Sequence, residues 1–321
     1  MSTKVAIRHG YFTQRVRPEK VVLAMARAFP ESKIHTSLNN ENEARPDFKS
    51  LDMRYSALNR IPERTRMLQY APESVRLRIR GAQVPFDVRT LDEITNEIVG
   101  NAPDSWHVVI TPNLHHIHLL RQDTSLLEVY KAAKLIIPDG WPVAWMLSRV
   151  SKSKVGRVTG SDLLERILEV HGGGRRLVLV GGADPDVLSS LAERAQRNQW
   201  DVMVEPAPKP EVENVDRRRD LVTRVAKKGE GGIVVLGLGA PKQELFAHEL
   251  LTQNGSGHIL CLGMAINFSS GRYRRSPKWM QRAKLEWIHR IMTEPRRLFP
   301  RYVRDARALV PTLAENSRRA A

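Results

Sequence analysis

The chain has a single cysteine, Cys261, among its 321 residues, and it lacks long apolar runs. One cysteine cannot form a disulfide within the chain, and its position inside the apolar run 259–262 predicts a buried free thiol in a reducing compartment. The first 30 residues lack an apolar stretch of a secretory signal, and no run approaches the roughly 18 apolar residues of a membrane span. We therefore expect a cytosolic protein, long enough for one large domain with attachments or for two domains.

Negative charge is scarce relative to positive charge. The formal net charge is +16, and residues 272–321 hold 14 Lys and Arg against 4 Asp and Glu, a local net charge of +10. Arginines there alternate with aromatic side chains such as Tyr273, Trp279 and Trp287, a mixture that suits an anionic membrane surface. Nucleic acid is not favoured as a partner because no zinc-finger spacing or RNA-binding aromatic signature is present. A solvated basic helix without a partner is the simplest alternative.

Short apolar runs alternate with amphipathic segments between about residues 78 and 264, which is typical of an α/β fold. The runs are too continuous for strands that are exposed on one face, so they predict a mostly parallel sheet covered by helices on both faces. The predicted strands are residues 107–111, 135–137, 177–181, 202–205, 233–237 and 259–263.

A two-glycine turn follows one of these strands in the sequence VVLGLGAPKQE, residues 234–244. Gly237 and Gly239 permit a tight turn, Pro241 suits the first position of a helix, and backbone N–H groups at such a helix start can face an anion. The alternative is an ordinary strand-to-helix corner. A nicotinamide dinucleotide site is not favoured, because Lys242 occupies the position of the third glycine and no acidic residue follows at the required distance.

Three further clusters stand at strand ends or helix starts, namely Thr111-Pro112-Asn113, Pro138-Asp139-Gly140 and Thr159-Gly160-Ser161-Asp162. A carboxylate in a poorly hydrated pocket can act as a general base, so Asp139 is a catalytic candidate, although Asp-Gly is also a common turn dipeptide. The third cluster is better explained as a helix cap.

Three histidines, His115, His116 and His118, follow the first cluster. They could suggest a metal site, but no cysteine or acidic ligand completes the set at a matching spacing. We therefore predict no metal cofactor.

The order of these clusters along the chain resembles the WecG/TagA/CpsF glycosyltransferase family over about residues 76–304. Seven clusters in the right order are far more specific than any one of them. They are Thr111-Pro112-Asn113, Pro138-Asp139-Gly140, Arg157 with Thr159-Gly160-Ser161-Asp162, GLGAPKQE, Ser270-Gly271 with Arg275-Ser276-Pro277, LEWIHR and EPRRLFPRY.

The resemblance implies a Rossmann-like sheet with a basic C-terminal helical appendage that contacts the membrane. It also implies an inverting, metal-independent transfer of a hexose-type sugar from a UDP-sugar to a polyprenyl-diphosphate-linked saccharide, at the inner membrane face, in bacterial cell-surface polysaccharide synthesis. Such a displacement needs a base for the acceptor hydroxyl and positive charge where the diphosphate leaves.

The resemblance also assigns roles to individual residues. Asp139 matches the family's base, and Thr111 with Asn113 matches its pocket motif, so these three form the catalytic set. The expected substrate-binding residues are Gly140, Arg157, Gly160, Asp162, Gly237, Gly239, Gln243, Glu244, Arg290, Arg296, Arg297 and Arg301.

The chain departs from the family pattern at three positions. Asn267 stands where the family usually has Asp, Ser276 replaces the alanine of Arg-Ala-Pro, and Lys284 replaces a glycine. None of these changes affects the proposed base, but they leave the donor sugar open. A homo-oligomer also stays open.

Residues 1–75 lie outside this resemblance and look like the first strand, helix and strand of a family 4 glycosyltransferase. Val16-Arg17-Pro18 stands where that class usually has a glycine pair, and no second domain follows. We predict three parts, which are an accessory extension (1–75), a Rossmann-like domain (76–271) and a basic membrane-associating appendage (272–321). The alternative for the extension is an acceptor-side or partner-binding module. The alternative function is a non-catalytic basic adaptor that binds membrane or nucleic acid.

Overall fold

The structure, a computed structural model, describes residues 6–12, 33–39, 53–55, 73–100, 102–181, 185–271, 276–277, 280 and 286–317. The chain divides into two compact units, Met1–Pro72 and Glu73–Ala321. In the first unit, β1 (Ala6–Phe12), β2 (Lys33–Asn39) and β3 (Met53–Tyr55) form a parallel sheet in that order. The helix predicted between the first two strands lies outside the described residues.

The second unit begins with an antiparallel hairpin of β4 (Ser74–Ile79) and β5 (Ala82–Asp87). A sheet of six parallel strands follows, and all six predicted strands are confirmed, with ends that agree within two residues. The strands are β6 (Trp106–Ile110), β7 (Leu135–Ile136), β8 (Arg176–Gly181), β9 (Asp201–Pro206), β10 (Gly232–Gly237) and β11 (Gly257–Cys261). Their spatial order is β7–β6–β11–β10–β8–β9.

Helices connect the strands and continue the chain after the sheet. The helices are α1 (Leu91–Gly100), α2 (Leu114–Gln122), α3 (Leu126–Ala132), α4 (Trp141–Ser151), α5 (Gly160–Glu169), α6 (Pro185–Arg197), α7 (Lys209–Glu213), α8 (Val215–Gly229), α9 (Lys242–Leu250), α10 (Ala265–Ser269), α11 (Glu286–Thr293), α12 (Pro295–Ala306) and α13 (Leu309–Ser317). None of the helices in the described part of the chain is long and apolar enough to cross a bilayer.

The central strands are buried on both faces, as their continuous apolar runs predicted. Along β6, Val108 and Ile110 join the core beneath α2, α3, α4, α8 and α9, whereas Val109 joins the core beneath α1, α5, α6 and α10. Successive side chains of a strand point to opposite faces, so a strand with helices on both sides must be apolar at every position. The α/β architecture with helices on both faces is therefore confirmed.

The C-terminal helices pack against the earlier elements of the second unit. Helix α13 lies on the hairpin, where the Asn316 side chain accepts from the Arg78 backbone N–H and donates to the Arg78 carbonyl, both at 2.9 Å. Glu315 accepts hydrogen bonds from the backbone N–H groups of Arg80 (3.1 Å) and Gly81 (2.6 Å). Two side chains of α13 thus satisfy backbone groups of Arg78 on β4 and of the turn that follows this strand.

We expect Asn316→Ala to weaken this attachment. The substitution removes both bonds to Arg78, so the free energy of unfolding should fall by about 1–2 kcal/mol. Hydrogen exchange across α13 and the hairpin checks this, with Ser317→Ala as a control because Ser317 bonds only within its own helix. Unchanged exchange in Asn316→Ala would show that the bonds to Arg78 do not hold α13 on the hairpin.

Candidate active site

A cavity of about 560 Å³ opens at the carboxyl edge of the sheet. Parallel strands end at the same edge, and the loops after β6, β7, β10 and β11 all contribute to its lining. Side chains of the C-terminal helices α11, α12 and α13 complete the lining. A carboxyl-edge crevice is the usual ligand position in an open α/β sheet.

Thr111 follows β6 at the floor of the cavity and is buried. Its hydroxyl donates to the Cys261 carbonyl oxygen at 3.1 Å, which ties the ends of β6 and β11 together. A Cβ on Gly160 would lie 3.1 Å from the Thr111 hydroxyl oxygen and 3.3 Å from the Leu262 carbonyl oxygen. Glycine at position 160 therefore lets the first turn of α5 approach the floor closely.

Asp139 follows β7 and also lines the cavity. Its backbone N–H donates to the Pro112 carbonyl at 3.1 Å, so the loop after β7 is held to the loop after β6. Gly140, at φ 83°, then caps α4 in a conformation that favours glycine. The Asp-Gly pair thus forms the turn before α4, and its aspartate lines the cavity.

Thr159 caps α5, because its hydroxyl accepts from the Asp162 backbone N–H at 3.0 Å. The cap interpretation of this cluster is confirmed. Arg157, Thr159, Gly160 and Ser161 all line the cavity as well.

The two-glycine turn after β10 brings Gly239, at φ 76°, and Gln243 to the cavity wall. The peptide bond Ala240–Pro241 is cis, and α9 begins at Lys242, one residue later than predicted from Pro241. The Gln243 backbone N–H donates to the Gly239 carbonyl at 3.0 Å, and Lys242 bonds Glu213 at 2.6 Å. Among the polar residues that follow this turn, Gln243 lines the cavity, whereas Lys242 contacts Glu213.

Helix α12, near the C-terminal end of the chain, also lines the cavity. Arg297, Arg301, Tyr302 and Asp305 line the cavity from one face of this helix. Asp305 is buried, and its carboxylate lies 2.9 Å from the Nδ1 of His115 on α2 and 3.6 Å from the Nε of Arg301. This aspartate joins α12 to the main body beside the cavity.

Four of the predicted binding residues do not line the cavity, namely Asp162, Gly237, Glu244 and Arg296. Gly237 lines a smaller cavity of about 250 Å³ with Lys242 and Asn267. Arg296 is exposed because it lies on the face of α12 away from buried Leu298 and Asp305. The side chain of Arg290 lies outside what the structure describes.

Glu244 is buried beneath the cavity wall. Its Oε1 accepts from the Gln243 side-chain Nε2 at 2.8 Å and lies 3.2 Å from the Nε2 of His116. Burial, together with the nearby Glu244 carboxylate, raises the pKa of the Tyr130 phenol and of the Cys261 thiol well above their ordinary values. Cys261 is therefore a neutral buried thiol, and the prediction of a free buried cysteine is confirmed.

The three histidines turn to different partners. His115 contacts Asp305, His116 contacts Asn113 and Glu244, and His118 is buried, which lowers the pKa of its imidazole. Within the described ranges, no group of three or more His, Cys, Asp or Glu side chains is arranged to hold a metal ion.

The sequence interpretation missed several lining residues, of which Asp305, His289 and Tyr302 belong to the basic C-terminal segment. The binding candidates predicted from that segment are arginines, and its aromatic residues are assigned to the membrane surface. The seven-residue spacing of buried Leu298 and Asp305 is a signal that α12 faces the protein with one side.

The site therefore combines two carboxylates, Asp139 and Asp305, with the guanidinium groups of Arg157, Arg297 and Arg301 around a single cavity, and Asp305 is the carboxylate that contacts His115 and Arg301. A carboxylate can accept a proton, and arginines can form paired hydrogen bonds to phosphate oxygens. The model of the glycosyl transferase WecG/TagA/CpsF family matches residues 79–321, which include every element around this cavity. The chain belongs to the WecG/TagA/CpsF glycosyltransferase family.

Proposed function

We propose that this protein is an inverting glycosyltransferase that moves a hexose-type sugar from a UDP-sugar to a polyprenyl-diphosphate-linked saccharide during cell-surface polysaccharide synthesis. The supporting observation is that Asp139 shares one cavity with Arg157, Arg297 and Arg301. A base and a group of cations are what a displacement at a sugar diphosphate requires.

In the proposed reaction, Asp139 accepts the proton of an acceptor hydroxyl. The hydroxyl oxygen forms a bond to the anomeric carbon while the bond from that carbon to the diphosphate oxygen of UDP breaks. The electron pair of the broken bond stays on UDP, and attack from the opposite side inverts the anomeric configuration. Thr111 and Asn113 lie on the floor next to Asp139 and would shape the pocket around the sugar.

The leaving UDP carries new negative charge, which the arginines would stabilise. Arg297 and Arg301 are one turn apart on α12, so both can reach the same diphosphate, and Arg157 approaches from the loop before α5. Guanidinium groups at these positions would supply the charge that a divalent cation supplies in other transferases. We therefore propose a metal-independent reaction.

Helix α12 also has an outer face suited to an anionic membrane. Arg296, Phe299 and Val303 lie on the side away from the cavity, and Phe299 and Val303 are 59% and 46% exposed. A helix with basic and apolar exposed residues on one side binds the headgroup region of an anionic bilayer. Docking on the inner face of the cell membrane would bring the cavity to a lipid-linked acceptor.

We expect Asp139→Asn to lower kcat by about 100- to 10,000-fold, the usual contribution of a general base. The measurement is UDP release with a panel of UDP-sugars and polyprenyl-diphosphate-linked saccharides, with and without EDTA. EDTA should leave the native rate unchanged.

The matched control is Asp201→Asn, because Asp201 is 53% exposed and stands at the amino end of β9, away from the cavity. Equal rates for native protein and Asp139→Asn would contradict the role of Asp139. Folded native protein that releases no UDP with any pair would instead favour the non-catalytic adaptor.

The double substitution Phe299→Ser and Val303→Ser should weaken flotation with phosphatidylglycerol vesicles at least about tenfold, since the two half-exposed apolar side chains lost from the interface together cost at least about 1.4 kcal/mol. Val215→Ser is the control, because Val215 is similarly exposed, at 50%, on α8 of the main body. Turnover of a detergent-dispersed acceptor should persist in the double variant. Undiminished flotation would rule out the outer face of α12 as the docking surface.

A further inference from the structure

Two amide side chains in the cavity wall, Asn113 and Gln243, are oriented by hydrogen bonds to neighbouring residues. Asn113 caps α2, and its Oδ1 accepts the backbone N–H of His115 at 3.0 Å. An N–H donor requires the oxygen of the amide at that position, so the Nδ2 of Asn113 is left for the cavity that this residue lines.

In Gln243 the nitrogen of the amide is bonded within the protein, and the oxygen is left without a partner in the described part of the chain. Its Nε2 donates to the Glu244 carboxylate at 2.8 Å, which assigns the other branch of the amide to Oε1. Gln243 is 3% exposed, and its Oε1 has no hydrogen-bond partner among the described residues. This oxygen lies 3.4 Å from the point where a Cβ on Gly263 would stand, and Gly263 is also part of the cavity lining.

His116 connects the two amides. Its Nε2 lies 3.2 Å from the Oε1 of Glu244, the same oxygen that Gln243 contacts, and its Nδ1 lies 3.2 Å from the backbone N and 3.0 Å from the Oδ1 of Asn113. Whether the ring is neutral or doubly protonated, donation to the carboxylate requires the proton on Nε2. One carboxylate oxygen thus orients Gln243 directly and supports Asn113 through His116.

We propose that Glu244 is a positioning residue that holds Asn113 as a hydrogen-bond donor and Gln243 as a hydrogen-bond acceptor toward a sugar hydroxyl in the cavity. The identity of the ligand group rests on the proposed function. A hydroxyl fits both partners because it can accept from the Nδ2 of Asn113 and donate to the Oε1 of Gln243. Glu244 acts through these two side chains and does not itself line the cavity.

A purely structural role explains this arrangement poorly. Glu244 is 1% exposed, and its Oε2 has no hydrogen-bond partner in the part of the chain that the structure describes. A buried carboxylate with one unsatisfied oxygen destabilises a fold relative to an apolar side chain of the same size. Such a cost is retained where the group orients a functional site.

The test compares Glu244→Gln with Glu244→Met. Glutamine keeps an oxygen that can accept from both His116 and Gln243, so kcat/KM for UDP release should stay within about tenfold of the native value. Methionine has a similar size but no such acceptor, and kcat/KM should fall about 100-fold because Gln243 loses its orientation and His116, which supports Asn113, loses its acceptor.

The matched control is Glu205→Met, because Glu205 is another buried glutamate, 5% exposed, that pairs with Arg224 and Lys228 outside the cavity. It should change the melting temperature without the loss of kcat/KM. Native turnover in folded Glu244→Met, or equal losses in the glutamine and methionine variants, would overturn the proposal.

Nitrogen-15 NMR of the native protein gives a readout that does not depend on activity or on a variant that folds. The proposal requires a protonated Nε2 on His116, whereas a neutral ring protonated at Nδ1 would overturn it. If native protein releases no UDP with any substrate pair, the proposed function fails, and this NMR signal still decides whether Glu244 orients His116.

Discussion

The parallel pairing of β6 with its neighbours β7 and β11 is the constraint on which the site depends. Parallel strands end at one edge, so the residues that follow them meet there even when they are far apart in sequence. Thr111 bonds the carbonyl of Cys261, 150 positions along the chain, and Asp139 bonds the loop that contains Pro112. Direct hydrogen bonds between the loops therefore hold the cavity floor, and the sheet beneath them is apolar on both faces.

Polar groups beneath the cavity wall are also held by direct contacts between side chains. Glu244 accepts from Gln243 and faces His116 while it remains almost completely buried. Its negative charge contributes to the raised pKa values of Tyr130 and Cys261, which keeps these two groups neutral. A low-dielectric surrounding strengthens each of these hydrogen bonds and makes an unsatisfied atom costly. The buried Glu244 carboxylate thus orients the amides of the cavity wall and lowers the free energy of unfolding.

Helix α12 serves two surfaces because its residues repeat with the helical period. Leu298, Arg301 and Asp305 face the protein, whereas Phe299 and Val303 face away. The bond from Asp305 to His115 fixes the inner face beside the cavity. Any force that moves the outer face therefore acts on Arg297 and Arg301 as well, since the helix is a single rigid element.

The sequence by itself determined the α/β class, the six strands, the α5 cap and the buried state of Cys261, because apolar periodicity and capping chemistry are local properties. It also identified Asp139, Arg157, Gln243 and two arginines of α12 as site candidates through the order of their motifs. Only the tertiary structure decided that Glu244 lies beneath the wall, that Arg296 faces outward and that Asp305 meets His115. Those outcomes depend on helix rotation and on contacts between residues more than 100 positions apart, which no local pattern encodes.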